Sequence, residues 1–232
     1  MWRLHRRLGV GDVVEVSVPA PRRSSPTEPG WVCRAHDLLA GGGFDVESST
    51  ARPSGSVVFR ARRARTLADT VAPGMRLLVC GLNPSLYTAD AGVPYARPGN
   101  RFWPAALAAG LVTTDRDPLD ALVSHGIGFT DQVKRATPSI ETVTTTEFRT
   151  GITRVERLVT WLEPAAVLVV GLAGWRTAVD RRARPGWQAD GLGGRPVYVM
   201  PSTSGLNAHA TPADLAAHLR AAGGASPPAR AR

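Results

Sequence analysis

Three short apolar runs with no charged residue at their centres, MRLLVCGL, AAVLVVGL and RPVYVMPS, set the strongest limit on how this chain can fold. A strand wetted on one face alternates polar and apolar side chains, so an unbroken run belongs to a strand covered on both faces, as in a parallel sheet. Helix-like stretches stand between and after them: NRFWPAALAAGL, GWRTAVDRR and TPADLAAHLRAA. From Pro73 onward the order is therefore alternating β and α. This predicts an α/β fold whose parallel sheet lies between helical layers. Functional groups in such folds gather beyond the carboxyl ends of the strands. The chain places its two most unusual loops there, GLNPS after the first run and MPSTSGLNAH after the third.

The region before Pro73 reads differently. Residues 13–17 form a short strand, the Pro/Arg/Ser-rich PAPRRSSPTEPG a loop, and Trp31 to Ala40 a helix broken by GGGF. Phe44 to Ser48 and Val57 to Arg60 then read as two strands around the turn Pro53-Ser54-Gly55. The expected organisation is an N-terminal α-β-β extension over 1–70, a main domain over 71–222 and a disordered tail over 223–232. Arg60, Arg62, Arg63 and Arg65 make either a nucleic-acid-facing stripe or a solvated linker face. The helix and two strands faintly resemble the last helix and hairpin of a class I methyltransferase. Without a glycine-rich nucleotide loop, that resemblance implies no methyl-donor binding.

At 232 residues and 43% hydrophobic, the chain can bury one full-sized core. Its 28 Lys and Arg against 19 Asp and Glu give a net charge of +9, which favours a polyanionic partner, nucleic acid first. Lys134 is the only lysine, so the charge is almost all guanidinium, suited to phosphate forks and equally the mark of a GC-rich genome. Cys33 and Cys80 are too few for a four-thiolate metal site or a disulfide framework. The opening MWRLHRRLGVGDVVEV meets Asp12 and Glu15 before any sustained apolar stretch, and no 18-residue apolar run follows. Neither a signal peptide nor a membrane span is expected. A reduced, cytoplasmic monomer is.

In GLNPS, Gly81 permits a tight exit from the strand, and Pro84 biases Asn83 away from helix and holds it rigid. A carboxamide so held can accept a hydrogen bond from a water and orient it without acting as a strong base. That suits a bond whose leaving group departs early, such as an N-glycosidic bond. An Asn-Pro pair taken alone reads first as an ordinary turn. Tyr95, at the end of a small-residue loop, could lie against a planar base. Arg97 and Arg101 stand where phosphates could be met, while Phe102 and Trp103 read as core anchors. In the second loop Ser202, Thr203 and Ser204 offer hydroxyls and amides to phosphates, Gly205-Leu206 a hinged apolar tip, and His209 a further phosphate contact.

Together these residues resemble the mismatch-specific uracil-DNA glycosylase and thymine-DNA glycosylase family, over about Pro73 to Leu219. The most specific stretch is GLNPSLYTADAGVPYARPGNRFW; GIGFTDQVKRATPS is similar to the family's middle segment and PSTSGLNA to its wedge motif. The resemblance implies a three-layer α/β/α sandwich with a short central, mostly parallel sheet, and no metal or cofactor. It implies hydrolysis of the glycosidic bond of uracil, or of thymine or another modified pyrimidine, mispaired with guanine in double-stranded DNA, after the base is flipped out. Asn83 matches the water-activating Asn and Tyr95 the stacking aromatic. Gly81, Leu82 and Ser85 line the base site, and Gly205 and Leu206 match the wedge. Ser85 stands where Gly is commoner, Ser202-Thr203 where the bacterial uracil branch has Asn-Pro, and Ala208 where a bacterial wedge carries Arg.

The rival from another class is a catalytically silent nucleic-acid-binding module of the same fold; Asn83 and Tyr95 together argue against it. There is no GxSxG elbow and no Gly-Lys-Ser/Thr phosphate loop to suggest another α/β enzyme. His125 and His218 read as ordinary helix or turn residues. Asp90 and Asp131 read as solvated loop carboxylates before any role in positioning water.

Overall fold

The computed structural model describes residues 1–19, 29–53 and 56–224. Most of the 19–30 loop, the Ser54-Gly55 turn and residues 225–232 of the tail lie outside the described residues.

The N-terminal unit comprises α1 (Trp2–His5), β1 (Val13–Pro19), α2 (Pro29–Gly41), β2 (Phe44–Ala51) and β3 (Ser56–Arg63). Its three strands form an antiparallel sheet in the order β1-β3-β2, so the early strand joins the expected α-β-β unit as an edge. Trp31, Ala35, Leu39, Phe44, Val57, Phe59 and Ala61 bury a core of its own. The arginine stripe continues this sheet rather than forming a linker. Arg60 and Arg62 both pair with Glu47, and Arg65 pairs with Asp90.

The main unit comprises β4 (Leu77–Gly81), α3 (Leu86–Ala91), α4 (Phe102–Ala108), α5 (Pro118–His125), β5 (Ile127–Asp131), α6 (Thr145–Leu162), β6 (Ala166–Val170), α7 (Leu172–Ala178), β7 (Gly186–Trp187), β8 (Val197–Met200) and α8 (Pro212–Gly223). The sheet order is β5-β4-β6-β8-β7, parallel except for the short antiparallel edge β7. Every residue of β4, β5, β6 and β8 is buried. Successive side chains feed two cores: Leu77 and Val79 pack with α4 and α8, while Leu78 and Cys80 pack with α6 and α7. The result is the three-layer α/β/α sandwich with a mostly parallel sheet. Among the described residues no helix is long and apolar enough to cross a membrane.

Two elements are not evident as apolar runs. Strand β5, IGFTD, contains glycine, threonine and aspartate, yet all five residues are buried. Helix α6 is amphipathic: a Thr144/Glu147 capping box starts it, and Phe148, Ile152, Val155, Leu158, Val159 and Leu162 make its buried stripe. The chain leaves β4 towards β5 and leaves β6 towards β8. The loops therefore diverge between the two central strands and open a crevice at their carboxyl ends.

One buried carboxylate gathers contacts from both units. Asp69, its side chain 5% exposed, accepts from Lys134 Nζ at 2.7 Å, Arg154 Nη1 at 3.1 Å and Thr130 Oγ1 at 2.9 Å. Its main-chain N–H donates to the Gly41 carbonyl at 2.7 Å. Removing one member of a buried ion cluster strands the others without compensation, at a cost of about 3–5 kcal/mol. Asp69→Ala is expected to lose stability in that range, measured by urea unfolding; a loss within ~0.5 kcal/mol would show that the cluster is not a structural anchor.

Candidate active site

The GLNPS loop does not simply end β4; it stays paired to the segment that follows β5. Gln132 N–H donates to Gly81 O, Val133 N–H to Leu82 O and Thr137 N–H to Pro84 O, at 2.9, 2.9 and 3.1 Å. Along this ladder Asn83 turns its amide nitrogen towards protein. Nδ2 lies 2.7 Å from Thr137 Oγ1, 3.2 Å from Arg135 O and 3.3 Å from Pro84 O. All its donors are thereby engaged, while Oδ1 has no hydrogen-bond donor among the described residues. A carboxamide anchored through nitrogen offers only an acceptor to whatever enters. Thr137, 2% exposed, is the positioning residue that the sequence did not single out. Ser85 is drawn into capping α3, its Oγ accepting from Thr88 N at 3.1 Å.

Asn83 and Ser85 share the wall of a cavity of about 260 Å³ with Gly81, Leu82, Tyr95, Arg97, Asp131, Thr137, Ser202, Thr203, Ser204 and Leu206. Two loops more than a hundred residues apart thus meet at the crevice. Tyr95 takes a left-handed backbone conformation, φ 56°, and stacks on Phe102 with ring centroids 4.2 Å apart and planes 17° from parallel. Phe102 thereby covers one face of the ring. Phe102 and Trp103 are both 1% exposed, anchors in the core as their sequence suggested.

The floor is the unexpected part. Asp131 is no solvated loop carboxylate: it ends buried β5, opposite Gly81 in the parallel register, and is 7% exposed. Its Oδ2 is buried without a hydrogen-bond partner, and so is the Tyr95 hydroxyl. A Cβ on Gly81 would sit 2.3 Å from Asp131 Oδ1 and 3.3 Å from Tyr95 Oη, so glycine is required there by close approach. Burial raises the Asp131 pKa to about 6, with Asp69 adding to the rise; Lys134 and Arg154 oppose it. Burial, then Asp131 and Cys80, push the Tyr95 phenol well up, so it stays neutral. Asp90, by contrast, is an exposed carboxylate paired with Arg65, whose hydrogen bond lowers its pKa.

The second loop is braced from beneath. Arg101, expected at phosphates, donates instead to three main-chain carbonyls: Ala210 and Asn207 at 2.6 Å and Ser204 at 3.0 Å. Its guanidinium shapes the loop rather than reaching outward. Asn207 Nδ2 donates to Ser202 O at 2.8 Å, and a Cβ on Gly205 would meet the Gly99 carbonyl at 2.8 Å. Thr203 is 1% exposed and is part of the wall. Leu206, at 86% exposed, projects from the rim, with Arg97 and His209 also exposed. His218 bonds Tyr198 Oη at 2.8 Å and His125 approaches Thr113 and Asp120, all apart from the cavity lining. Among the described residues no three His, Cys, Asp or Glu side chains are grouped to hold a metal ion.

The sequence profile of the uracil DNA glycosylase superfamily matches residues 68–222, more than half of the chain, and the protein belongs to that superfamily. Membership makes it a hydrolase of the DNA glycosylase class. The chain is also similar to a solution NMR structure from Methanosarcina acetivorans described as a candidate uracil DNA glycosylase. Identity is 18% and the TM-score 0.43, covering 67% of this chain and 96% of that one.

An acid whose pKa is raised on folding stabilises the fold fully below its ordinary value, and that contribution is lost as pH rises through the folded value. For Asp131 the window runs from about 4 to about 6 and the loss persists above it. Asp131→Asn cannot ionise. Between pH 5 and pH 8 its Tm is expected to fall less than the parent's, by several degrees; parallel Tm curves for the two proteins would mean that Asp131 is not buried in its neutral form.

Proposed function

We propose that this protein is a monofunctional glycosylase that hydrolyses the N-glycosidic bond of uracil, and of thymine or other modified pyrimidines, mispaired with guanine in double-stranded DNA. The observation that carries the reading is the Asn83 carboxamide, held through its nitrogen with its oxygen left as an acceptor at the cavity. A water hydrogen-bonded to that oxygen would be aimed at the sugar carbon. The water oxygen bonds to C1′ as the bond to the base nitrogen breaks, its electron pair leaving with the base, and the water's proton passes to solvent. Because the sugar becomes oxocarbenium-like early, orientation and electrostatics matter more than nucleophile strength.

The remaining residues fit base extrusion. Tyr95, backed by Phe102, supplies a rigid aromatic wall for a planar base, and Gly81, Leu82 and Ser85 complete the lining. Leu206 on its braced loop would fill the gap in the stack, with Arg97, His209, Ser202 and Ser204 towards the backbone phosphates. The +9 charge favours the same partner.

Asn83→Ala is expected to lower single-turnover excision of uracil from a G:U duplex by on the order of a hundred- to a thousand-fold, leaving affinity for an abasic duplex unchanged. Cleavage within about threefold of the parent would rule out this mechanism. No excision by the parent from G:U, G:T, A:U or single-stranded substrates would leave a nucleic-acid-binding module of the same fold. Leu206→Ala should slow excision from A:U more than from G:U, since a mismatched base costs less to extrude. Equal slowing would deny Leu206 a wedge role.

A further inference from the structure

Hydrolysis at the crevice leaves the arginines at the end of β3 without a task. Along that strand Val57, Phe59 and Ala61 face the core, while Arg60 and Arg62 are exposed. Alternation puts Arg63 in phase with the core side, a cation where the apolar series would otherwise continue. It is half-buried opposite Phe44 in the register, and its Nε is buried without a hydrogen-bond partner. No ion pair among the described residues includes it. The buried His5 ring supplies no compensation: burial, then Arg63, lowers its pKa to about 4, so it stays neutral. A cation withdrawn from water persists where something supplies an acceptor.

Arg63 lies in the wall of a second cleft, of about 460 Å³, lined by residues of both the N-terminal and the glycosylase units. The same wall carries Arg62, Arg65, Lys134 and Arg135 against one carboxylate, the exposed Asp45. Four of these cations are tethered: Arg62 to Glu47, Arg65 to Asp90, Lys134 to Asp69 and Arg135 to Glu147. Lys134 is consumed by its buried tie. For the exposed arginines the ties set position without exhausting the fork of five N–H donors; Arg65 gives Nε and Nη2 to Asp90 and keeps Nη1. The cleft backs onto the main cavity. Thr66 and Arg135 line one and Leu67 and Thr137 the other, Thr66 Oγ1 donates to the Lys134 carbonyl, and Asn83 Nδ2 donates to the Arg135 carbonyl. We propose that this cleft is a second DNA contact, which seats a backbone phosphate of the duplex on Arg63, with Arg62, Arg65 and Arg135 around it. The inference rests on the substrate being DNA, and not on cleavage. A phosphate oxygen meets the unpaired guanidinium as a charge-assisted acceptor and carries no sequence information. The N-terminal unit thereby serves the site as a clamp that adds affinity without reading bases.

The test measures affinity for an undamaged duplex, by fluorescence anisotropy over a salt series, for the parent, Arg63→Gln, Arg63→Lys and Arg182→Gln. Arg182 is exposed between α7 and β7, at the sheet edge opposite β5, so its loss removes the same charge away from the cleft. Arg63→Gln should weaken binding about tenfold at low salt and reduce the slope of log K against log salt by about 1, the signature of one lost phosphate contact. Arg63→Lys, which keeps the charge, should keep the slope, and Arg182→Gln should lower neither quantity to that extent. Equal effects from Arg63→Gln and Arg182→Gln, or no effect from Arg63→Gln, would overturn the proposal. A second measurement separates a backbone phosphate from a free one: the Tm of the parent and of Arg63→Gln with inorganic phosphate or deoxyadenosine triphosphate. Stabilisation that needs Arg63, with equal duplex affinities for the two proteins, would assign the cleft to a free phosphate compound and overturn the DNA contact. If duplex binding depends on Arg63 while the parent cleaves nothing, the hydrolase reading fails and the clamp stands; a parent that binds no duplex overturns both.

Discussion

The carboxylate of Asp69 is the interaction on which most of the rest depends. Five segments converge on it: its own 65–70 connection, the end of α2 through Gly41, strand β5 through Thr130, helix α6 through Arg154, and the 132–137 segment through Lys134. Burial alone would favour the neutral acid, yet two cations and a hydroxyl hold its pKa down. Such a node works only when complete, because every member left alone would be a buried charge or an unmet donor. It therefore ties the N-terminal unit to the glycosylase unit in one arrangement. An Arg157–Asp37 bidentate pair between α6 and α2, at 2.6 and 2.8 Å, adds a second, more exposed tie.

The same node has an electrostatic consequence one residue beyond Thr130. Lys134 and Arg154 are committed to Asp69, so Asp131 keeps a buried carboxyl without a counter-ion. Two aspartates near the end of β5 thus have opposite characters. One is ionised and structural; the other is biased towards neutrality and open to the cavity. The divergence comes from which of them the cations reach, not from residue type.

Rigidity at the carboxyl ends of the strands comes from backbone pairing carried past the sheet. The Gly81–Pro84 stretch is hydrogen-bonded to 132–137, which fixes the plane of the Asn83 amide before any ligand arrives. The opposite wall is fixed by Arg101, whose one guanidinium satisfies three carbonyls of a turn that carries an exposed leucine at its tip. A preorganised acceptor and a braced apolar tip cost nothing to assemble at the moment of reaction, which is where such sites gain rate.

Local pattern determined a good deal. Unbroken apolar runs identified β4, β6 and β8, because burial on both faces leaves no room for polar alternation, and glycine and proline marked the loops that line the cavity. The meeting of Asn83 with the Ser202–Leu206 loop was legible from their places at strand ends. What sequence pattern did not reveal is partnership between polar groups far apart in the chain. Strand β5 was obscured by Gly128, Thr130 and Asp131, whose burial follows from neighbours on β4 and α6. Asn83 is oriented by Thr137, 54 residues away, and Arg101 is consumed by carbonyls more than a hundred residues on. Periodicity records how much water a side chain sees; which donor meets which acceptor, and which acid keeps its proton, is decided only when the folded chain brings them within a few ångströms.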